Sequence, residues 1–150
     1  MERTEVVGVL AVCVVVSLTG CAGLTDSPPA EPTLSVENGT LAPGESIILT
    51  IQATNVGELT YSLENDTALT VTEFDADPPP TSGADSYPPH WFWESPSESM
   101  TATITLTASE TARPGSYAGT LTVWNVPNSA DSSTARTQAL ERFVIEIGDG

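Results

Sequence analysis

The chain has 150 residues, of which 20 are acidic and four are basic, all arginine, giving a net charge of −16. So few cations cannot neutralise a phosphate backbone, which excludes nucleic acid as a partner. Hydrophobic residues make up 39% of the chain, enough for one domain with a packed core rather than an acidic disordered tail.

The N-terminal region opens with Met1-Glu2-Arg3-Thr4-Glu5, followed by an uncharged run from Val6 to Leu18. Its 13 residues match the apolar region of a secretory signal, about 7–15 residues, better than a spanning helix of about 20. An uncleaved membrane helix over Val6 to Leu24 is the alternative, since those 19 residues carry no charge. The run closes on Leu18-Thr19-Gly20-Cys21, which resembles the lipobox of prokaryotic lipoproteins. That resemblance implies a signal peptide over 1–20, cleavage before Cys21 and a lipid on its thiol. Residues 21–32 then form a lipid-anchored, Pro-rich spacer at the extracellular face of the cell membrane. Cys13 is removed with the signal, so the exported domain has no disulfide to form.

Beyond residue 20 there are 18 acidic residues against three arginines and no lysine. This composition is similar to that of haloarchaeal proteins, and the similarity implies a domain suited to molar salt. Self-repulsion at such a charge destabilises a compact state in dilute buffer. At 1 M salt the Debye length falls to about 3 Å and the repulsion is screened.

From Thr33 the hydrophobic pattern alternates with period two. Thr33 to Glu37 predicts a first strand, and Asn38-Gly39 and Pro43-Gly44 predict turns. Ser46 to Thr54 puts Ile47, Leu49, Ile51 and Ala53 on one face, and Asn55 to Glu58 reads as a turn. Leu59 to Glu64 and Ala68 to Phe74 follow as strands, the latter with Leu69, Val71 and Phe74 inward. Asp75 to Pro89 holds five prolines and no alternation, which predicts a long loop. After His90 to Glu94, Ser99 to Ser109 sets Met100, Ala102, Ile104, Leu106 and Ala108 opposite four threonines. Ser116 to Asn125 turns Tyr117, Gly119, Leu121 and Val123 inward. Asn128 to Thr137 is a polar loop with room for a helical turn over 131–139, and Leu140 to Ile147 closes the domain.

Seven to eight short strands over 33–148 predict an all-β, antiparallel β-sandwich. The stretches APGESIILTIQATNVGE (42–58) and ARPGSYAGTLTV (112–123) resemble the two halves of surface Ig-like or fibronectin-III-like domains. The resemblance implies an Ig-like sandwich in which Tyr117 makes a tyrosine corner, its hydroxyl bonded to an upstream carbonyl. Such motifs carry a fold and no activity.

Little chemistry stands out. A copper site needs two histidines and a thiolate, and the exported chain offers only His90. Asp75, Asp77 and Asp85 lack the ordered spacing of a calcium loop. No serine is paired with a base by any motif. No metal, cofactor or catalytic residue is therefore expected. Tyr87, Trp91, Trp93 and Trp124 form a candidate binding patch, with core packing of the tryptophans as the alternative. Asn38-Gly39-Thr40 and Asn65-Asp66-Thr67 fit the N-glycosylation pattern. The sequence thus suggests a non-enzymatic surface lipoprotein whose Ig-like module contacts protein or polysaccharide at the envelope. The alternative is an accessory lipoprotein that spaces or braces a membrane complex; a small hydrolase is the least favoured reading.

Overall fold

The computed structural model describes residues 30–127 and 135–149. The proposed signal segment, Cys21, most of the spacer and part of the 128–137 loop lie outside these residues.

Ten strands are described: β1 (Thr33–Val36), β2 (Gly39–Leu41), β3 (Ser46–Thr54), β4 (Val56–Leu63), β5 (Leu69–Asp77), β6 (Ser82–Ala84), β7 (His90–Ser97), β8 (Met100–Ala108), β9 (Gly115–Trp124) and β10 (Gln138–Ile147). They form an Ig-like β-sandwich of two sheets, ordered β1-β3-β8-β5 and β2-β10-β9-β4-β7-β6. Alternation along β3, β8, β9 and β10 gives each sheet one apolar face, and these faces meet. Leu49, Ile51, Ile104 and Leu106 of one sheet close the core with Leu59, Leu121, Val123, Phe143 and Ile145 of the other.

The chain changes sheets at Asn55, between β3 and β4, in the left-handed conformation that asparagine tolerates (φ 54°). Its side-chain amide also ties down the incoming segment by donating to the Glu31 carbonyl at 2.9 Å. The expected tyrosine corner is present: the Tyr117 hydroxyl donates to the Arg113 carbonyl at 2.7 Å.

Several expectations are corrected. Residues 55–58 are not one turn, because β4 begins at Val56 and includes Glu58. Residues 75–89 are not one loop either. Asp75–Asp77 continue β5 against β8, and Ser82–Ala84 pair with β7 as the sheet's edge. The strand read over Ala68 to Phe74 is β5, whose continuation to Asp77 the alternation does not show because of a bulge between Val71 and Glu73, and β6 is too short at three residues. The bulge supplies the extra residue that lets Leu69 and Val71 on one side of it, and Phe74 and Ala76 on the other, all meet the core. Asn38-Gly39 does not simply turn the chain. Gly39–Leu41 form β2, which pairs with β10 in parallel, so the sandwich is not wholly antiparallel.

Candidate functional site

The outward side of the six-stranded sheet carries a group of residues that a solvent-facing sheet does not need. Register puts Trp124, Glu58 and Phe92 side by side across β9, β4 and β7. One rung along, Leu140, Thr122, Thr60 and His90 form a parallel row from β10 to β7. Period-two geometry puts both rows on the face opposite the core.

Glu58 is the centre of this group. It is 2% exposed, although it faces away from the core. A buried carboxylate is tolerated only when paired and hydrogen-bonded. His90 Nδ1 donates to one oxygen at 2.7 Å, and Arg136 Nη2 donates to the other at 2.5 Å. Charge-assisted bonds of this kind are the strongest polar contacts a side chain makes.

The burial comes from the two described ends of the β9–β10 connection, residues 125–127 and 135–137, which lie against the sheet here. Asn125 anchors them: its Oδ1 accepts from the Thr137 amide at 2.8 Å, and its Nδ2 donates to the Ala135 carbonyl at 3.3 Å. Arg136 then spans the group, with Nε donating to the Val126 carbonyl at 3.2 Å and its guanidinium 4.4 Å from the centre of the Trp124 ring. That geometry is a cation–π contact. Gly57 lets the connection come this close, because a Cβ there would lie 2.6 Å from Val126 Cα. The His90 ring lies nearly parallel to those of Phe92 and Trp124, at 6.2 and 6.4 Å.

The four aromatics of the candidate patch are thus divided between surfaces. Trp93 is buried, its indole N–H donating to the Pro78 carbonyl at 3.0 Å beneath the proline-rich segment. Trp91 packs on the core, stacked 3.7 Å from Phe74 and 5.9 Å from Tyr61. Burial first, and the neighbouring Tyr87 second, push the Tyr61 hydroxyl above its ordinary value of 10.0. Trp124 lies on the outward face, and Tyr87 is 68% exposed before β7. Trp91 and Trp93 point inward because β7 is a strand, so Phe92 and His90 take its other side.

Sequence reasoning missed Glu58, Phe92 and Arg136 as a group. The only hint was the chain's single histidine beside an aromatic run. Both oxygens of Glu58 already hold donors, and the Thr60 hydroxyl donates to the Pro89 carbonyl at 2.6 Å. The arrangement holds His90, Phe92, Trp124 and Arg136 together around the buried carboxylate. Among the described residues, no three His, Cys, Asp or Glu side chains come together to hold a metal ion. Asp75, Asp77 and Asp85 are exposed.

No family model matches the chain, and no curated protein does. Solved structures match its fold. The seventh ScaB type I cohesin of Pseudobacteroides cellulosolvens aligns over 80% of this chain and 94% of its own, at 15% identity and a TM-score of 0.52. A cohesin from Clostridium thermocellum, solved in a type I cohesin–dockerin complex, aligns over 79% of this chain and all of its own (100%), at 14% identity and TM-score 0.52. The sixth cohesin of Acetivibrio cellulolyticus scaffoldin B, in complex with a Cel5 dockerin, aligns over 79% and 100%, at 12% identity and TM-score 0.54. At these identities the likeness is one of fold.

Proposed function

We propose that this domain is a non-enzymatic protein-interaction module, held at the outer surface of the cell by a lipid on Cys21. The partner docks on the outward face of the six-stranded sheet. The observation that carries this reading is the locked group of Glu58, His90 and Arg136, which fixes Trp124 and Phe92 at the surface. A sheet face in water has no use for a buried carboxylate, whereas an interface gains from aromatic side chains already held in place. Leu140, 57% exposed on the same face, extends the apolar area. Similarity of fold to cohesins, two of them in complexes with dockerins, supports a protein partner over a polysaccharide. The lipobox at Leu18–Cys21 supports the anchor, and the lysine-free, acidic composition supports a high-salt envelope.

The test is chemical crosslinking of the full-length, membrane-held protein in molar salt. Leu140→Glu with Trp124→Ala is expected to abolish the crosslinks made by the wild type while keeping the near-UV CD of a folded domain. Ile48→Glu is the control, because Ile48 is 65% exposed on β3 of the other sheet. Crosslinks lost with Ile48→Glu and kept in the double variant would overturn the choice of face.

A further inference from the structure

Two sequence motifs are left unused by the interaction face, and the structure treats them differently. Asn38 precedes β2, and its Oδ1 accepts from the Val144 amide at 2.7 Å; Thr40 is held extended in β2 against β10. Asn65 sits in the β4–β5 turn, with Asn65 and Thr67 both exposed. Three donors converge on Asn65 Oδ1: the Thr67 hydroxyl at 2.7 Å, the Thr67 amide at 3.2 Å and the Ala68 amide at 3.2 Å. The carbonyl half of the side chain is therefore committed to the turn. Its Nδ2 has no hydrogen-bond partner among the described residues.

We infer that Asn65 is the acceptor of an N-linked oligosaccharide; the inference rests on the export reading above. The bond formed joins Nδ2 to C1 of a sugar that arrives activated as a polyprenyl-linked phosphate ester. The bond broken is C1–O to that phosphate, which leaves, and Nδ2 gives up one proton. The product keeps Oδ1 as an acceptor and one N–H, so all three bonds of the turn survive the modification.

The surroundings suit a sugar. A groove of about 360 Å³ opens beside Asn65, lined by Thr67, Thr111, Arg113 and Tyr117. Hydroxyls, a guanidinium and an aromatic ring are the groups that bind a pyranose. The position also leaves the docking face free. β4 runs from Val56, next to the Asn55 side chain that holds Glu31, to Leu63 before this turn. That is roughly 25 Å of strand, so the glycan projects from the pole opposite the point where the chain enters the domain.

The experiment is intact-mass and peptide mass spectrometry of the full-length protein purified from membranes of a haloarchaeal host. A hexose-bearing mass on the peptide containing Asn65 is expected, and it should disappear in Asn65→Asp. That variant keeps the acceptor oxygen of the turn and removes the nitrogen, so the domain stays folded. Thr67→Ala should remove the mass as well. A chain that begins at a lipidated Cys21 with Asn65 bare overturns the acceptor site and leaves the export reading standing. A chain that begins at Met1 with Asn65 bare overturns both the site and the lipid anchor. A glycan on Asn38 with Asn65 bare also overturns the inference.

Discussion

Arg136 is the residue on which the outward group most depends. It satisfies one oxygen of Glu58, covers Trp124 and closes the β9–β10 connection through the Val126 carbonyl. Removing it leaves a buried carboxylate with one fewer donor, and hydrogen bonds to charged groups contribute about 1.5–3 kcal/mol each. Arg136→Ala is expected to lower stability by about 2–3 kcal/mol, read from chemical denaturation in molar salt. In a Glu58→Gln background the same change should cost clearly less, because no uncompensated charge is left behind. Equal costs in the two backgrounds would mean that the pair is not coupled. None of this was legible locally. Glu58 follows a glycine in what reads as a turn, and its partners lie 32 and 78 residues further on. Only the register of β4 against β7 and β9 shows that Glu58 faces away from the core among aromatics.

At the scale of elements, the well-read strands are those with uninterrupted alternation, and packing has little freedom there. On β9, Gly119 lies opposite Phe143 of β10, and both fall on the inward phase. A Cβ at position 119 would run into the Phe143 ring, against its Cζ, Cε1 and Cε2 atoms. Gly119→Ala is therefore expected to cost about 1–3 kcal/mol through overpacking, despite alanine's better backbone entropy. Phe143→Leu removes those ring atoms, so Gly119→Ala should cost markedly less in that background, measured as a shift in thermal midpoint. If the two changes simply add, the ring is not the obstacle. The elements missed in the sequence share the opposite character. β2 and β6 have three residues each, too few to show a period, and they are strands only because β10 and β7 offer them free edges. The split of Trp91 and Trp93 from Trp124 follows from the same logic. Two inward tryptophans on β7 were one of two open phases in the sequence, and only contact with Phe74 and Pro78 selects between them.

For the whole molecule, the sandwich was legible because alternation in four long strands leaves no other way to bury two apolar faces. Its charge raises a separate question, since a core of ordinary aliphatic residues must hold together under strong self-repulsion. Of the three arginines beyond residue 20, Arg136 pairs with the buried Glu58 and Arg142 with the exposed Glu64 at 3.2 Å. Among the described residues, most of the acidic side chains therefore have no arginine within ion-pair distance. Repulsion between exposed charges weakens as the Debye length falls from about 10 Å at 0.1 M to about 3 Å at 1 M. The unfolded chain spreads the same charges further apart, so screening favours the folded state. Stability is expected to rise with potassium chloride through the molar range, with near-UV CD lost on dialysis into dilute buffer and regained on return to salt. Because the Glu58 carboxylate of the Glu58–Arg136 pair is buried, salt should weaken the pair less than it weakens the repulsion between exposed charges. The thermal midpoint should therefore increase with salt in Arg136→Ala by nearly as much as in the wild type. A domain that keeps its near-UV CD in dilute buffer, or that loses stability as salt is added, would remove the basis for placing it in a high-salt envelope.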